Sequence, residues 1–236
     1  MKNNVKIFFI NEVSIMLEFG GGIDVVTQKK IKTLCDYLDA NPFRGMIEYV
    51  PAYTNVMVIY DPVIVKKNLY HRPAYETVKT ILQDIVKKLD FSNMKEPRVV
   101  SIPVCYGGKF GPDLEYSAQY SNMSKEEFIR VHASGKYLVH MIGFAPGYPY
   151  LGGMDERIAV PRKETPRTAV PKGSVAIGGV QTGVYSISTP GGWNIIGRTP
   201  IELFRPNDKN PSFLRAGDVV EFVPISEDEY ERQVVE

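Results

Sequence analysis

Hydrophobic and polar positions change period several times along this chain. Val5 to Ile10 and Val13 to Phe19 are apolar runs separated by Asn11 and Glu12, which predicts two strands around a turn or bulge. Gly20, Gly21 and Gly22 end the second run. Asp24 then stands as the N-cap of a predicted helix whose apolar positions Val26, Ile31, Leu34, Cys35 and Leu38 fall on one face. Asn41-Pro42 stops that helix. Ile47 to Val50 and Asn55 to Tyr60 are strand-like runs around Pro51-Ala52, closed by Asp61-Pro62. From Tyr75 to Leu89 the helical period returns. Val78, Ile81, Leu82, Ile85, Val86 and Leu89 lie on one side, and Lys79, Asp84, Lys87 and Lys88 lie on the solvated side.

The resulting order is strand, helix, strand, strand, helix, with room for a closing strand, and that is a ferredoxin-like α/β sandwich pattern. The polar stretch Asp90 to Pro97 marks a boundary, so the predicted domains are 1–96 and 97–236. Val99 to Val104 opens the second with a strand. Asp113 is placed to cap a short helix through Tyr120, and Ser124 with Glu127 forms a capping box for the next helix, which carries His132 near its end. Tyr137 to Ile142 is a strand. Beyond Gly143 short strands alternate with turns, among them Ser174 to Ile177, Val184 to Ser188 and Val219 to Val223. Ser226 and Glu229 cap a last acidic helix. Many strands with few short helices predict a closed or nearly closed β-barrel, and the fold class is α+β.

Composition adds exclusions. The 236 residues carry a net charge of +1, which gives no electrostatic case for nucleic acid or an anionic membrane. No apolar run reaches the roughly 20 residues of a membrane span. The N-terminal segment has no secretory core or cleavage site, and Cys35 and Cys105 form no CxxC pair, so a cytoplasmic protein with reduced, buried thiols is expected. The sequence contains no Walker-type phosphate loop, no dinucleotide glycine fingerprint and no G-x-S-x-G elbow. Its three histidines, His71, His132 and His140, lack metal-ligand spacing, so neither a metal nor a cofactor bound by this chain alone is expected.

The remaining chemistry concentrates in GFAPGYPYLGG (Gly143 to Gly153), PRKETPR (Pro161 to Arg167), PKGSVAIGGVQTGVY (Pro171 to Tyr185) and TPGGWNIIGRTPIELF (Thr189 to Phe204). Glycine and proline give these loops a specified shape. From Gly143 to Arg198 the cations Arg157, Arg162, Lys163, Arg167, Lys172 and Arg198 outnumber the anions Asp155, Glu156 and Glu164. Arginines on proline-fixed turns suit forked contacts with a carboxylate or phosphate, and equally suit structural bonds to loop carbonyls; the residues alone leave both open. Glycine-turn N–H groups offer an anion or oxyanion cradle. Arg162, Arg167, Arg198, Gln181 and Thr182 are the candidate substrate-binding residues, with a turn hydrogen bond as the default reading of Gln181 and Thr182. His132 is the candidate proton carrier, with a packing role as its alternative. Tyr148 and Tyr150, which flank Pro149 at an outward corner, and the single tryptophan, Trp193, are candidates for a partner-facing surface, with packing under the loops as the alternative for Trp193.

At these residues the chain closely resembles the family of 5-oxoprolinase B subunits (PxpB), also described as KipI-type or allophanate hydrolase subunit 1-like proteins. The resemblance is carried by VCYGGKFGPDL (Val104 to Leu114), by the four loop stretches above and by AGDVVEF (Ala216 to Phe222), with His132 where the family has a helix histidine. PAYTNVMVIYDP (Pro51 to Pro62) resembles a family strand pair. Tyr148 replaces a common Phe, and Ser186 a common Pro. The resemblance implies a cyclophilin-like β-barrel after the ferredoxin-like domain. It also implies two partners, the KipA-like C subunit and the ATP-using A subunit of 5-oxoprolinase. Such complexes open 5-oxo-L-proline to L-glutamate with ATP hydrolysis. Two further roles follow from relatives of this kind: inhibition of a sporulation histidine kinase, as in KipI-type proteins, and carboxyl transfer, as in urea carboxylase.

Overall fold

The computed structural model describes residues 5–20, 22, 24–66, 72–91 and 96–235. The chain divides into two compact units, Met1–Glu96 and Pro97–Glu236. His71 lies outside the described residues, as do residues 92–95 of the predicted boundary segment.

In the first unit, β1 (Lys6–Asn11) and β2 (Ser14–Glu18) form a hairpin. Asn11 builds its turn: the side-chain oxygen accepts the Val13 N–H at 3.0 Å and the Ser14 hydroxyl at 2.9 Å. Helix α1 (Val25–Ala40) follows, then β3 (Met46–Pro51), β4 (Asn55–Tyr60), the short α2 (Pro62–Lys66) and α3 (Ala74–Lys88). The antiparallel sheet runs β1-β2-β4-β3. Ile15 and Leu17 of β2 and Val56 and Val58 of β4 point to one face, where they meet Ile31, Leu34 and Leu38 of α1 and Val78 and Leu82 of α3. Each such side chain, taken fully out of water, contributes roughly 1.5–3 kcal/mol.

Two details differ from the sequence reading. Among the described residues of the first unit no strand follows α3, and β1 fills the sheet edge beside β2. Val26 is 55% exposed, while Thr27 is buried. Helical phase explains this: Thr27 lies on the face of Ile31, Leu34 and Leu38, its N–H donates to the Asp24 carboxylate at 2.8 Å, and its hydroxyl is met by Asp24 and the Gly20 carbonyl.

The second unit contains β5 (Val99–Tyr106), α4 (Leu114–Tyr120), α5 (Lys125–Ser134), β6 (Tyr137–Ile142), β7 (Pro149–Gly152), a 3₁₀ turn at Glu156–Ile158, β8 (Arg167–Val170), β9 (Ser174–Gly178), β10 (Gln181–Val184), β11 (Thr189–Gly191), β12 (Asn194–Arg198), β13 (Val219–Pro224) and α6 (Glu227–Val235). Seven strands form one sheet in the order β10-β9-β12-β5-β13-β6-β7, and β8 pairs with β11 separately. The sheet's end strands, β7 and β10, lie against each other, so the sheet is nearly closed on itself. Inside it pack Ile102, Val104, Val139, Leu151, Val160, Val175, Ile177, Val184, Ile196 and Phe222, with Phe128 of α5. The whole is a mixed α+β chain, and among the described residues no helix is long and apolar enough to cross a membrane.

Candidate functional site

Three Gly-Pro stretches converge on one carboxylate. Asp113 stands at the N-cap position of α4, but its side chain makes no cap bond. The carboxylate turns away and is only 8% exposed. Its Oδ1 accepts from Lys163 Nζ at 3.1 Å and from Arg167 Nη2 at 2.9 Å. Arg167 Nη1 is also 2.8 Å from Oδ2, though not aligned for a hydrogen bond. Oδ2 accepts the Ile195 N–H at 2.8 Å, and the Asp113 N–H donates to the Ile195 carbonyl at 2.9 Å. Burial pushes this carboxyl up. Arg167, the Ile195 amide and Lys163 outweigh that push, so the net displacement is below the usual carboxylate range. Asp113 thus ties the FGPDL, PRKETPR and GGWNII segments together.

Arg162 and Arg167 flank this clamp differently. Arg167 is committed to Asp113. Arg162 is exposed, lies with Cζ 5.7 Å from the Trp193 ring centroid, and has no carboxylate partner among the described residues. Both act on one phenol: burial pushes the Tyr185 hydroxyl up, and the charges of Arg162 and Arg167 pull it partly back. The loop between them is fixed by the Lys163 N–H on the Gly192 carbonyl at 2.7 Å and by Asn194 Nδ2 on the Pro161 carbonyl at 2.8 Å.

Under Arg162 lies an aromatic cluster centred on Tyr148, which meets Phe144, Tyr150, Tyr185 and Trp193 edge-on, with centroids 5.4 to 6.4 Å apart. Glycines make the close approach possible. A Cβ at Gly178 would stand 2.6 Å from the Trp193 indole, and one at Gly183 would stand 2.6 Å from the Tyr148 hydroxyl. Tyr148 is therefore buried, at 5% exposure, and does not form the outward corner the sequence suggested. Tyr150 and Trp193 are half-buried. The residue turned outward is Phe144, 69% exposed and held at φ +64°, in the left-handed region. Its loop is pinned by the Gly143 N–H on the Tyr148 carbonyl, the Tyr148 N–H on the Ala145 carbonyl and the Ser186 hydroxyl on the Pro146 carbonyl.

Other candidates lie apart. His132 is fully buried and stacks on Phe222 at 4.7 Å. Its Nδ1 is 2.8 Å from the Tyr106 hydroxyl and its Nε2 is 2.8 Å from Thr182 Oγ1. Burial lowers its pKa to about 3. His132 and Thr182 therefore form an internal bridge away from solvent, which fits the packing role for His132 and an internal hydrogen bond for Thr182 rather than proton transfer or substrate contact. Arg198 lies at the far end of β12 from Asn194, with Nε donating to the Lys172 carbonyl at 3.0 Å, so it does not join Arg162. Gln181 pairs with Gly178 in the β9–β10 hairpin. Part of the proposed amide cradle is spent: the Gly143, Gly173 and Gly179 N–H groups all donate to protein carbonyls. His140 is buried in β6. Among the described residues no group of His, Cys, Asp and Glu could hold a metal ion. An open groove of about 580 Å³ between α5 and β13 is lined by none of the candidate residues.

Sequence reasoning missed two residues, Asp113 and Phe144. The sequence marks Asp113 only as a capping residue, although the FGPDL motif sets it apart. Nothing in the sequence marks Phe144 for a positive φ.

Residues 5–214 match the family described as carboxyltransferase domain, subdomain C and D. The chain is 47% identical over 223 residues to the 5-oxoprolinase B subunit of Bacillus subtilis (strain 168), covering 94% of this chain and 93% of that protein. It is 37% identical to the 5-oxoprolinase B subunit of Escherichia coli O157:H7, covering 94% and 97%. The crystal structure of TTHA0988 superposes with a TM-score of 0.75 at 32% identity, covering 94% of this chain and 40% of that one. With near-complete mutual coverage of these relatives at such identities, the chain belongs to the family of 5-oxoprolinase B subunits.

Proposed function

We propose that this chain is the B subunit of an ATP-dependent 5-oxoprolinase, which hydrolyses 5-oxo-L-proline to L-glutamate together with the A and C subunits in the cytoplasm. Its two units are read as a ferredoxin-like sandwich and a cyclophilin-like barrel, and the barrel fold carries no isomerase activity with it. The single observation that supports a substrate role here is Arg162. It is an exposed guanidinium on an indole, beside a loop clamped by a buried carboxylate, with no carboxylate of its own among the described residues. Such a group suits the carboxylate of 5-oxoproline or a phosphate on its activated form.

The lactam is resonance-stabilised, so ring opening needs activation. Phosphoryl transfer from ATP to the lactam oxygen releases ADP and makes the carbonyl carbon electrophilic. Water adds there, the ring C–N bond breaks as the nitrogen takes a proton and leaves as the α-amine, and a second water hydrolyses the resulting acyl phosphate to L-glutamate and phosphate. The sequence contains no phosphate loop, which supports placing ATP on the A subunit. In this reading Arg162 holds the substrate, Arg167 holds the loop, and His132 carries no proton. Phe144, Tyr150 and Trp193 face the C subunit, which completes the enclosure, so the chain alone turns over nothing. The test is co-expression with the A and C subunits and an assay of 5-oxoproline-dependent ATP hydrolysis with and without this chain. Equal rates in both would overturn the proposal.

A further inference from the structure

We propose that Asp113 is a positioning residue for Arg162, fixing the 161–167 loop against the Gly-Gly-Trp-Asn turn so that the guanidinium stays over Trp193. The inference rests on the reading that Arg162 meets the substrate. Asp113 grips both sides of that pair: Lys163 is the next residue after Arg162, and Ile195 lies two beyond Trp193. Arg167 closes the far end of the same loop on the same carboxylate. With the side chain only 8% exposed, salt screens these bonds weakly. The backbone ties at Pro161 and Lys163 keep the loop attached when the charge is lost, so the expected effect is misplacement rather than release.

Asp113→Asn keeps an acceptor for the Ile195 N–H but leaves Lys163 and Arg167 facing each other without an anion, and one of its own donors then points at cations. Trp193, the chain's only tryptophan, reports the outcome directly. Emission and quenching are measured on the full chain by itself, so that no partner tryptophan contributes, and kinetics on the chain assembled with the A and C subunits, both well below the unfolding temperature. Asp113→Asn is expected to shift the Trp193 emission and raise its quenching by acrylamide. It is also expected to increase the KM for 5-oxoproline about tenfold while kcat changes far less. Asp113→Glu is expected to recover part of both. If Asp113→Asn does not fold, Lys163→Met replaces it and is expected to shift the emission in the same direction by less. Emission and KM both unchanged in the folded variant would overturn the positioning role. If the emission moves but Arg162→Ala leaves 5-oxoproline kinetics intact, the positioning stands and the substrate role of Arg162 falls.

Discussion

Nε2 of His132 stands 2.8 Å from Oγ1 of Thr182, joining α5 to β10 across the inside of the barrel. The direction of the bond follows from its neighbours. The Thr182 hydroxyl spends its hydrogen on the Ala176 carbonyl at 3.2 Å, so it accepts from Nε2–H. Nδ1 is then the acceptor for the Tyr106 hydroxyl at 2.8 Å. The imidazole is neutral, with both nitrogens used.

This arrangement sets a pH dependence of stability. Burial lowers the folded-state pKa of His132 to about 3, below the reference value near 6.5. Between those values the unfolded chain binds a proton that the folded chain does not, so stability falls as pH drops through this window. The expected loss from His132 is about 1 kcal/mol between pH 7 and roughly pH 5.5. Urea unfolding of the wild type and His132→Gln at both pH values checks this. The variant should lose less stability on acidification than the wild type; parallel losses would show that His132 is not the group responsible.

The two arginines should separate by stability. Arg162 is exposed, lies over Trp193 and has no ion pair among the described residues, so Arg162→Ala is expected to change unfolding free energy by about 0.5 kcal/mol or less. Arg167→Ala leaves the buried Asp113 with Lys163 and the Ile195 amide alone, and is expected to cost about 2–3 kcal/mol. Similar losses for both variants in denaturant titrations would contradict the clamp.

Gly178 and Trp193 supply a packing test. An alanine methyl at 178 would lie 2.6 Å from the indole, which must then move. Gly178→Ala is expected to cost about 1–3 kcal/mol as an overpacking change and to alter Trp193 emission. A variant with wild-type stability and spectrum would mean that the ring is not held against the strand.

The strand and helix periods placed most elements, because Ile15, Leu17, Val78 and Leu82 each repeat with the period of the element that buries them. What failed to show was tertiary. Asp113 precedes a helix, and a local pattern assigns it to the cap; its partners Lys163 and Arg167 are some fifty residues away. Thr27, not Val26, continues the buried i, i+4, i+7, i+11 series with Ile31, Leu34 and Leu38, so a polar residue holds the position where an apolar one was looked for. Sequence order places a closing strand after α3, but it does not say which edge a hairpin such as β1–β2 will fill. Pro149 signals an exposed corner at Tyr148, yet Gly183 leaves the space that the tyrosine hydroxyl occupies.

Phe144 gives the last prediction. A bulky residue at φ +64° with 69% of its surface in water gains little for the fold, and strain retained at such a place points to a role outside it. The loop beneath it is rigid, so the ring is presented at little entropic cost to a partner. Asparagine tolerates the left-handed region better than phenylalanine. Phe144→Asn is therefore expected to leave unfolding free energy unchanged within about 0.5 kcal/mol, despite the lost edge contact with Tyr148. The same variant is expected to weaken association with the C subunit by more than about tenfold, as removal of an aromatic interface anchor does. Titration of the purified KipA-like partner into the wild type and the variant measures this. Equal affinities would place the docking surface elsewhere on the barrel and leave the strained phenylalanine without a partner to justify it.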